Sequence, residues 1–303
     1  MAVSGLYSPS ASSAGARLFS LLGPAVSPLA VPTVYFDTPA ISWVEAGKVS
    51  KQEWQRALSF LRLSAHHAIS LTTLYELLAG LAYGGPETFT RFRDRFNLLS
   101  IAPEQTFLPL SAEFLRTRLF GKAPTRPDFD PEALQRWLPI IASARTRKDM
   151  ESGLIELGQA QDELTYGINL RLVQLQILKG KAGYIRRLKK LRSEIPSTIP
   201  ISTWASSVVS KLGIDLKLEN RLRIEEALDA QYRHDVSMRI KARSADFNFK
   251  KNSTAWLDSS QLVYLAEPTF IFVTADERLV KDTAGSSQAG RILLLREFLS
   301  LAS

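Results

Sequence analysis

Apolar positions along this chain follow two patterns. Short unbroken apolar runs mark buried strands, and longer stretches with apolar residues three and four apart mark helices. Val34, Tyr35 and Phe36 form such a run and lead directly into Asp37 and Thr38. A helix is expected over Ser50 to Leu63, with Trp54, Leu58 and Leu61 on one side. Ala68 to Leu71 reads as a second strand. Thr72 to Tyr83 then reads as a helix, with Leu74, Leu77, Leu78 and Leu81 at helical spacing, stopped by Gly84, Gly85 and Pro86. Phe96 to Ile101 is expected to be a third strand and Ser111 to Phe120 a further helix. Near the C-terminal end, Thr254 to Ala266 is amphipathic and Phe270 to Thr274 is a strand. Ile292 to Leu295 is either a last strand or the start of a terminal helix.

Between these two regions the strand-like runs vanish. Helical patterns dominate instead, as in Pro131 to Ala144, Met150 to Leu178 and Leu218 to Met238, with Pro196 and Pro200 as breaks. The organisation expected is a loose N-terminal arm (1–31), an α/β first part (32–122), an all-helical insertion (123–245) and an α/β second part (246–303). A helix between the second and third strands predicts a parallel βαβ unit. The fold class is therefore α/β, a three-layer sandwich around a parallel sheet with an all-helical insertion.

Composition narrows the chemistry. The chain has 303 residues, 45% hydrophobic, enough for a sizeable core. A net charge of +8 favours a polyanionic partner, nucleic acid before an anionic membrane surface. There is no cysteine, which excludes disulfides, thiolate zinc sites and cysteine nucleophiles. With His66, His67 and His234 the only histidines, a bound metal would be held chiefly by oxygen, as Mg²⁺ or Mn²⁺ are. Residues 1 to 16 carry no charged side chain, and Pro24, Pro28 and Pro32 interrupt the uncharged stretch that follows Arg17. Neither a spanning helix nor a signal peptide is expected there, so no membrane association and a cytoplasmic location are the expectations.

Four carboxylates occupy comparable places. Asp37 ends the first strand, Glu76 lies in the first turn of the helix after the second, Asp258 lies in the helix before the last clear strand, and Asp276 follows that strand. In a parallel sheet the C-terminal strand ends and the following helix starts share one edge, so Asp37, Glu76 and Asp276 can converge, and Asp258 joins them only if its helix begins beside that edge. Each acid also has a plain structural reading. Thr73 to Glu76 fits a capping box, and Asp37, Asp258 and Asp276 each suit a helix N-cap. Together they point elsewhere, because converging like charges are costly to bury without a cation.

In order and local context these segments resemble the PIN-domain nucleases. VYFDT resembles their opening strand, AISLTTLYELLAG their second strand and glutamate-bearing helix, WLDSSQLVYLA the helix with the third acid, and FIFVTADERL the closing strand with the fourth. The resemblance covers residues 33 to 122 and 250 to 298, and the helical stretch between has no counterpart in it. It implies a PIN-like fold and a metal-dependent nuclease that hydrolyses phosphodiester bonds, a ribonuclease and the toxin of a toxin–antitoxin pair. It further implies one or two Mg²⁺ or Mn²⁺ ions among Asp37, Glu76, Asp258 and Asp276, with Thr38 and Thr274 donating hydroxyl hydrogen bonds to the carboxylates. The partners implied are an RNA or DNA substrate, a protein antitoxin and a second copy of the chain.

The stretch Lys179 to Arg192 is rich in Lys and Arg and has no acid. As a helix it would set Ile185, Leu188 and Leu191 on one side, leaving Arg186, Arg187, Lys189 and Lys190 for a nucleic-acid backbone, or simply for solvent. Arg278 and Lys281, just past Asp276, suit scissile phosphates. The alternative function is an inactive PIN-like scaffold that binds RNA or a protein partner. An aspartyl phosphatase is disfavoured, because the position two residues beyond Asp37 is Pro39.

Overall fold

The computed structural model describes residues 13–22, 26–27, 30–83, 85–99, 106–122, 131–159, 178–190, 199–214 and 220–302. Five strands form one all-parallel sheet: β1 (Thr33–Phe36), β2 (His66–Ser70), β3 (Thr106–Leu108), β4 (Phe270–Thr274) and β5 (Ile292–Leu294), in the order β3-β2-β1-β4-β5. Helices cover both faces. An all-parallel sheet buried on both sides needs strands that are apolar throughout, and β4 is buried at every residue.

Strand alternation separates the two faces. Val34, Phe36, Ile69, Ile271 and Val273 point into one core, with Trp54 and Leu58 of α3 (Lys51–Ser64) and Leu74 and Leu77 of α4 (Leu71–Tyr83). Tyr35, Ala68, Phe270 and Phe272 point into the other, with Phe114 of α6 (Ser111–Phe120). Tyr35 stacks on Phe272 across β1 and β4, with ring centroids 5.0 Å apart.

Ser50 caps α3 through a complete capping box with Glu53. Pro86 ends α4 and opens α5 (Pro86–Leu98), where its missing N–H costs nothing. The third strand is not where the apolar run suggested. Phe96 belongs to α5, in which Phe89 and Phe96 are buried one and two turns apart around the partly buried Phe92, and Ile101 lies outside the described residues. The strand is instead β3, three residues long, too short to show a period. The expected Leu218 to Met238 helix is two helices, α11 (Arg221–Ala227) and α12 (Asp229–Ala242), meeting at Leu228. Thr254 to Ala266 is α13 (Ala255–Leu262) running on into a tighter 3₁₀ turn, Val263–Ala266. Ile292–Leu294 is a strand and a helix, Leu295–Leu301, follows at once.

Part of the expected N-terminal arm is a helix, α1 (Ser13–Ser20), whose Leu18 is fully buried in the first core. Burial of that leucine ties down a segment whose composition suggested a loose tail. Several of the described helices between residues 123 and 245 pack into the two cores that flank the sheet. α7 (Pro131–Ser143) and α8 (Arg147–Gln159) add Ile141, Met150 and Leu154 to the first core, and Arg147 donates to the Leu81 carbonyl at 3.3 Å. α10 (Ile201–Ser210) adds Trp204 and Val209 to the second. The rest of the expected Met150 to Leu178 helix lies outside the described residues. Residues 178–190 form α9, which packs Tyr184 and Leu188 on Met238 and Ala242 of α12. Tyr184 and Leu188 carry its buried side, with Ile185 only half-buried; Leu191 lies outside the described residues. Among the described residues no helix is long and apolar enough to cross a membrane.

Candidate active site at the carboxyl edge of the sheet

β1 and β4 are neighbours at the centre of the sheet. The helices after β1 pack on the first face, whereas α14 (Glu277–Thr283), after β4, packs Leu279 into the second core. Right-handed crossovers that depart in opposite directions must use opposite faces. Between them, at the carboxyl ends of β1 and β4, a crevice is left. Asp37 follows β1 and Asp276 stands two residues past β4, so both border it.

Asp37 is only 2% exposed. Its Oδ1 accepts the Ala40 backbone N–H at 2.8 Å, capping α2 (Thr38–Glu45), and its Oδ2 accepts the Thr274 hydroxyl. Burial pushes the carboxyl up to about 7; these two hydrogen bonds oppose the rise, and the charges of Glu76 and Asp276 add to it.

Glu76 lies in the second turn of α4, because that helix starts at Leu71, earlier than its pattern suggested. It does not cap its helix. Ser70 does, accepting the Thr73 N–H at 3.1 Å. Glu76 Oε2 instead accepts the Thr38 hydroxyl at 2.5 Å. Burial raises its pKa above the ordinary glutamate value, against the Thr38 bond and the charges of Lys181 and Arg95.

Asp258 is inside α13 rather than at its N-cap, which is Thr254. Burial lifts its carboxyl to about 8; the His234 imidazole partly offsets this, while Asp37, Glu76 and Asp276 reinforce it. Asp276 caps α14 by accepting the Arg278 N–H at 2.8 Å, and its Oδ2 meets the Arg278 guanidinium at 3.2 Å. Burial works to raise its pKa, and the Arg278 hydrogen bonds outweigh it, holding the carboxylate below its usual value.

Asp37 thus feels the charges of Glu76 and Asp276, and Asp258 feels all three, so four different elements bring the acids within electrostatic reach of these two. Thr38 donates to Glu76 and Thr274 to Asp37. Two cationic or ionisable neighbours, Lys181 and His234, carried no motif in the sequence; Lys181 is legible only as part of the basic run.

The donor set is oxygen-rich and suits a hard divalent cation. Gln261 Oε1, one turn beyond Asp258 on α13, is buried without a hydrogen-bond partner. As they lie, however, no three His, Asp or Glu side chains among the described residues are arranged to hold a metal ion. The reason is local: Glu76 is turned to Thr38, Asp276 to Arg278, and Asp37 to Thr274 and Ala40.

The basic residues divide. Arg278 and Lys281 are exposed beside Asp276. On α9, Arg186, Lys189 and Lys190 are exposed, with Lys189 over the Phe249 ring at 5.7 Å. Arg187 is engaged elsewhere, its Nη2 held 2.8 Å from both carboxylate oxygens of buried Asp235. That pairing satisfies a buried acid, so Arg187 is not simply offered to a nucleic-acid backbone as its place in the basic run suggested. His67 is edge-on to Phe36, and burial with the nearby Arg62 charge depresses its pKa to about 4, keeping it neutral.

No family model, no curated protein and no solved structure matches this chain.

Proposed function

We propose that the chain is a metal-dependent nuclease of PIN-like fold, acting on RNA before DNA. The observation that carries this reading is the meeting of four charge-coupled carboxylates at the sheet's crossover crevice, two of them with pKa values near 7 and 8. Like charges gathered around buried Asp37, with Glu76, Asp258 and Asp276 half-buried, are unfavourable unless a cation or protons offset them. Asp37, Glu76, Asp258 and Asp276 would hold Mg²⁺ or Mn²⁺, whose chemistry is to acidify a bound water and neutralise charge on phosphoryl oxygens. Thr274 and Thr38 hold Asp37 and Glu76 in place. Arg278, exposed beside Asp276, can meet a phosphate oxygen.

One observation favours a second reading, an inactive scaffold of the same fold that binds nucleic acid or protein. Asp37, Glu76 and Asp276 are turned to neighbouring donors instead of one shared point. Incubating labelled single-stranded RNA and DNA with the protein, in Mn²⁺, Mg²⁺ or EDTA, separates the two. Metal-dependent cleavage that is lost in Asp37→Asn is the expected result. Binding without cleavage under every metal selects the scaffold.

A further inference from the structure

A cavity of about 420 Å³ opens beside the acidic edge, between α9, α10, α12 and α13. Its volume is that of a small-ligand site. α13 is the wall it shares with the carboxylates. Trp256, Ser259 and Ser260 recur at helical spacing and line the cavity, while Asp258 on the same helix feels the other three acids.

The lining combines three features. Its aromatic lining is Tyr184 and Trp204, both buried, and the half-buried Trp256. Trp256 lies close on α9, where only a glycine fits: a Cβ at Gly180 would stand 2.6 Å from Trp256 Cζ2. Secondly, two hydrogen-bonding atoms of lining side chains are buried without a partner, the donor Trp256 Nε1–H and the acceptor Gln231 Oε1. Gln231 is oriented by its own amide, which donates to Ser259 Oγ at 3.3 Å. Buried groups of this sort are costly unless something meets them. Finally the charge is positive. Among the described residues, Arg187, Arg239, Lys190 and Lys211 line the cavity against a single acid, Asp235, which Arg187 and Arg239 share.

A ligand that answers all three is flat, presents both an acceptor and a donor, and carries negative charge. We infer that the cavity is a nucleotide subsite, taking one base against its aromatic walls and Gln231 and Trp256, with the phosphate towards Lys211. Base–aromatic stacking and cationic phosphate contacts are the usual means of holding a single strand. As a subsite for a strand cut at the acidic edge, it rests on the nuclease reading above; recognition of the nucleotide itself rests on the cavity alone.

The test uses the full chain in EDTA, so that binding is read without cleavage. The probes are the four ribonucleoside 5′-monophosphates, a labelled single-stranded RNA pentamer, and a pentamer of the same backbone without bases. Anisotropy and tryptophan quenching give the affinities. The base-bearing strand should bind about tenfold or more tightly than the abasic one, in line with the strength of base stacking. Trp256→Phe and Gln231→Leu should each remove much of that difference, and Lys211→Ala should weaken both strands alike. Circular dichroism confirms the fold of each variant, and Gln231→Leu decides if Trp256→Phe unfolds. Competition by free monophosphates identifies a free nucleotide as occupant; binding of the strand alone identifies a nucleotide within a chain. Equal affinity for both strands, or no change in either pocket variant, overturns the subsite. Cleavage in Mn²⁺ without base-dependent binding would sink the subsite and leave the nuclease standing; base-dependent binding without cleavage would do the reverse.

Discussion

The Thr274 hydroxyl donates to Asp37 Oδ2, joining the last residue of β4 to the residue just after β1 at the floor of the candidate site. This bond stabilises the charged form of a carboxylate that burial disfavours. Thr274→Val keeps the shape and removes the donor. Its expected effects are a loss of about 1–3 kcal/mol in stability where Asp37 is charged and a further rise in the Asp37 pKa. Any metal-dependent cleavage should then shift its pH profile to higher pH. Urea melts and a pH–rate series check both, and an unchanged profile would show that Thr274 does not tune the site.

Stability should fall as pH rises through neutrality. An ordinary aspartate titrates near about 3.9, whereas Asp37 and Asp258 in the fold do so at about 7 and 8. Between those values the folded chain holds protons that the unfolded chain has lost, so raising the pH favours unfolding, with the whole penalty present above about pH 8. Mn²⁺ or Mg²⁺ should offset it, and should raise Tm more at pH 8.5 than at pH 5. Thermal melts across pH with and without metal measure this. A Tm that climbs from pH 5 to 8.5 without metal would contradict the burial of these acids.

Glu76 and Ser70 can be told apart by stability. Ser70 carries the cap of α4, so Ser70→Ala should cost about 1 kcal/mol. Glu76→Gln keeps an acceptor for Thr38 and removes a charge that burial disfavours. It should leave stability unchanged or raise it slightly while abolishing metal-dependent activity. A large stability loss in Glu76→Gln would mean that the glutamate is structural.

Gly80 lets α4 and α5 approach closely. A Cβ there would stand 2.2 Å from Cδ1 of Phe92. Gly80→Ala gains helix propensity but must push that ring aside, and a net loss of about 1–3 kcal/mol is expected from overpacking. Gly80→Ala with Phe92→Leu should recover part of it, measured by chemical denaturation.

The central strands were legible because each carries an unbroken apolar run, Val34–Phe36 and Phe270–Val273, that gives way at once to a polar residue. β1 and β4, with Asp37 and Asp276 just beyond them, follow from that alone. β3 was not legible: three residues carry no period, and the phenylalanines of α5 beside it imitate a strand. The roles of the acids were legible only as alternatives. Asp37 and Asp276 do cap helices, whereas Glu76 is released from capping by Ser70 and Asp258 by the earlier start of its helix at Ala255. The cavity could not be read at all, since Gln231, Trp256 and Tyr184 are ordinary amphipathic positions until α9, α12 and α13 pack together.

The bond from Thr274 to Asp37 spans 237 positions of chain. The central strand pair therefore has to wait during synthesis. Until residues 270–274 leave the ribosome, β1 has no partner on that side, and the third and fourth acids have no wall to stand on. Pairings so distant in sequence are slow to form. Whatever chemistry the edge performs is withheld from the nascent chain, and a product halted before β4 would carry the early helices without a functioning site.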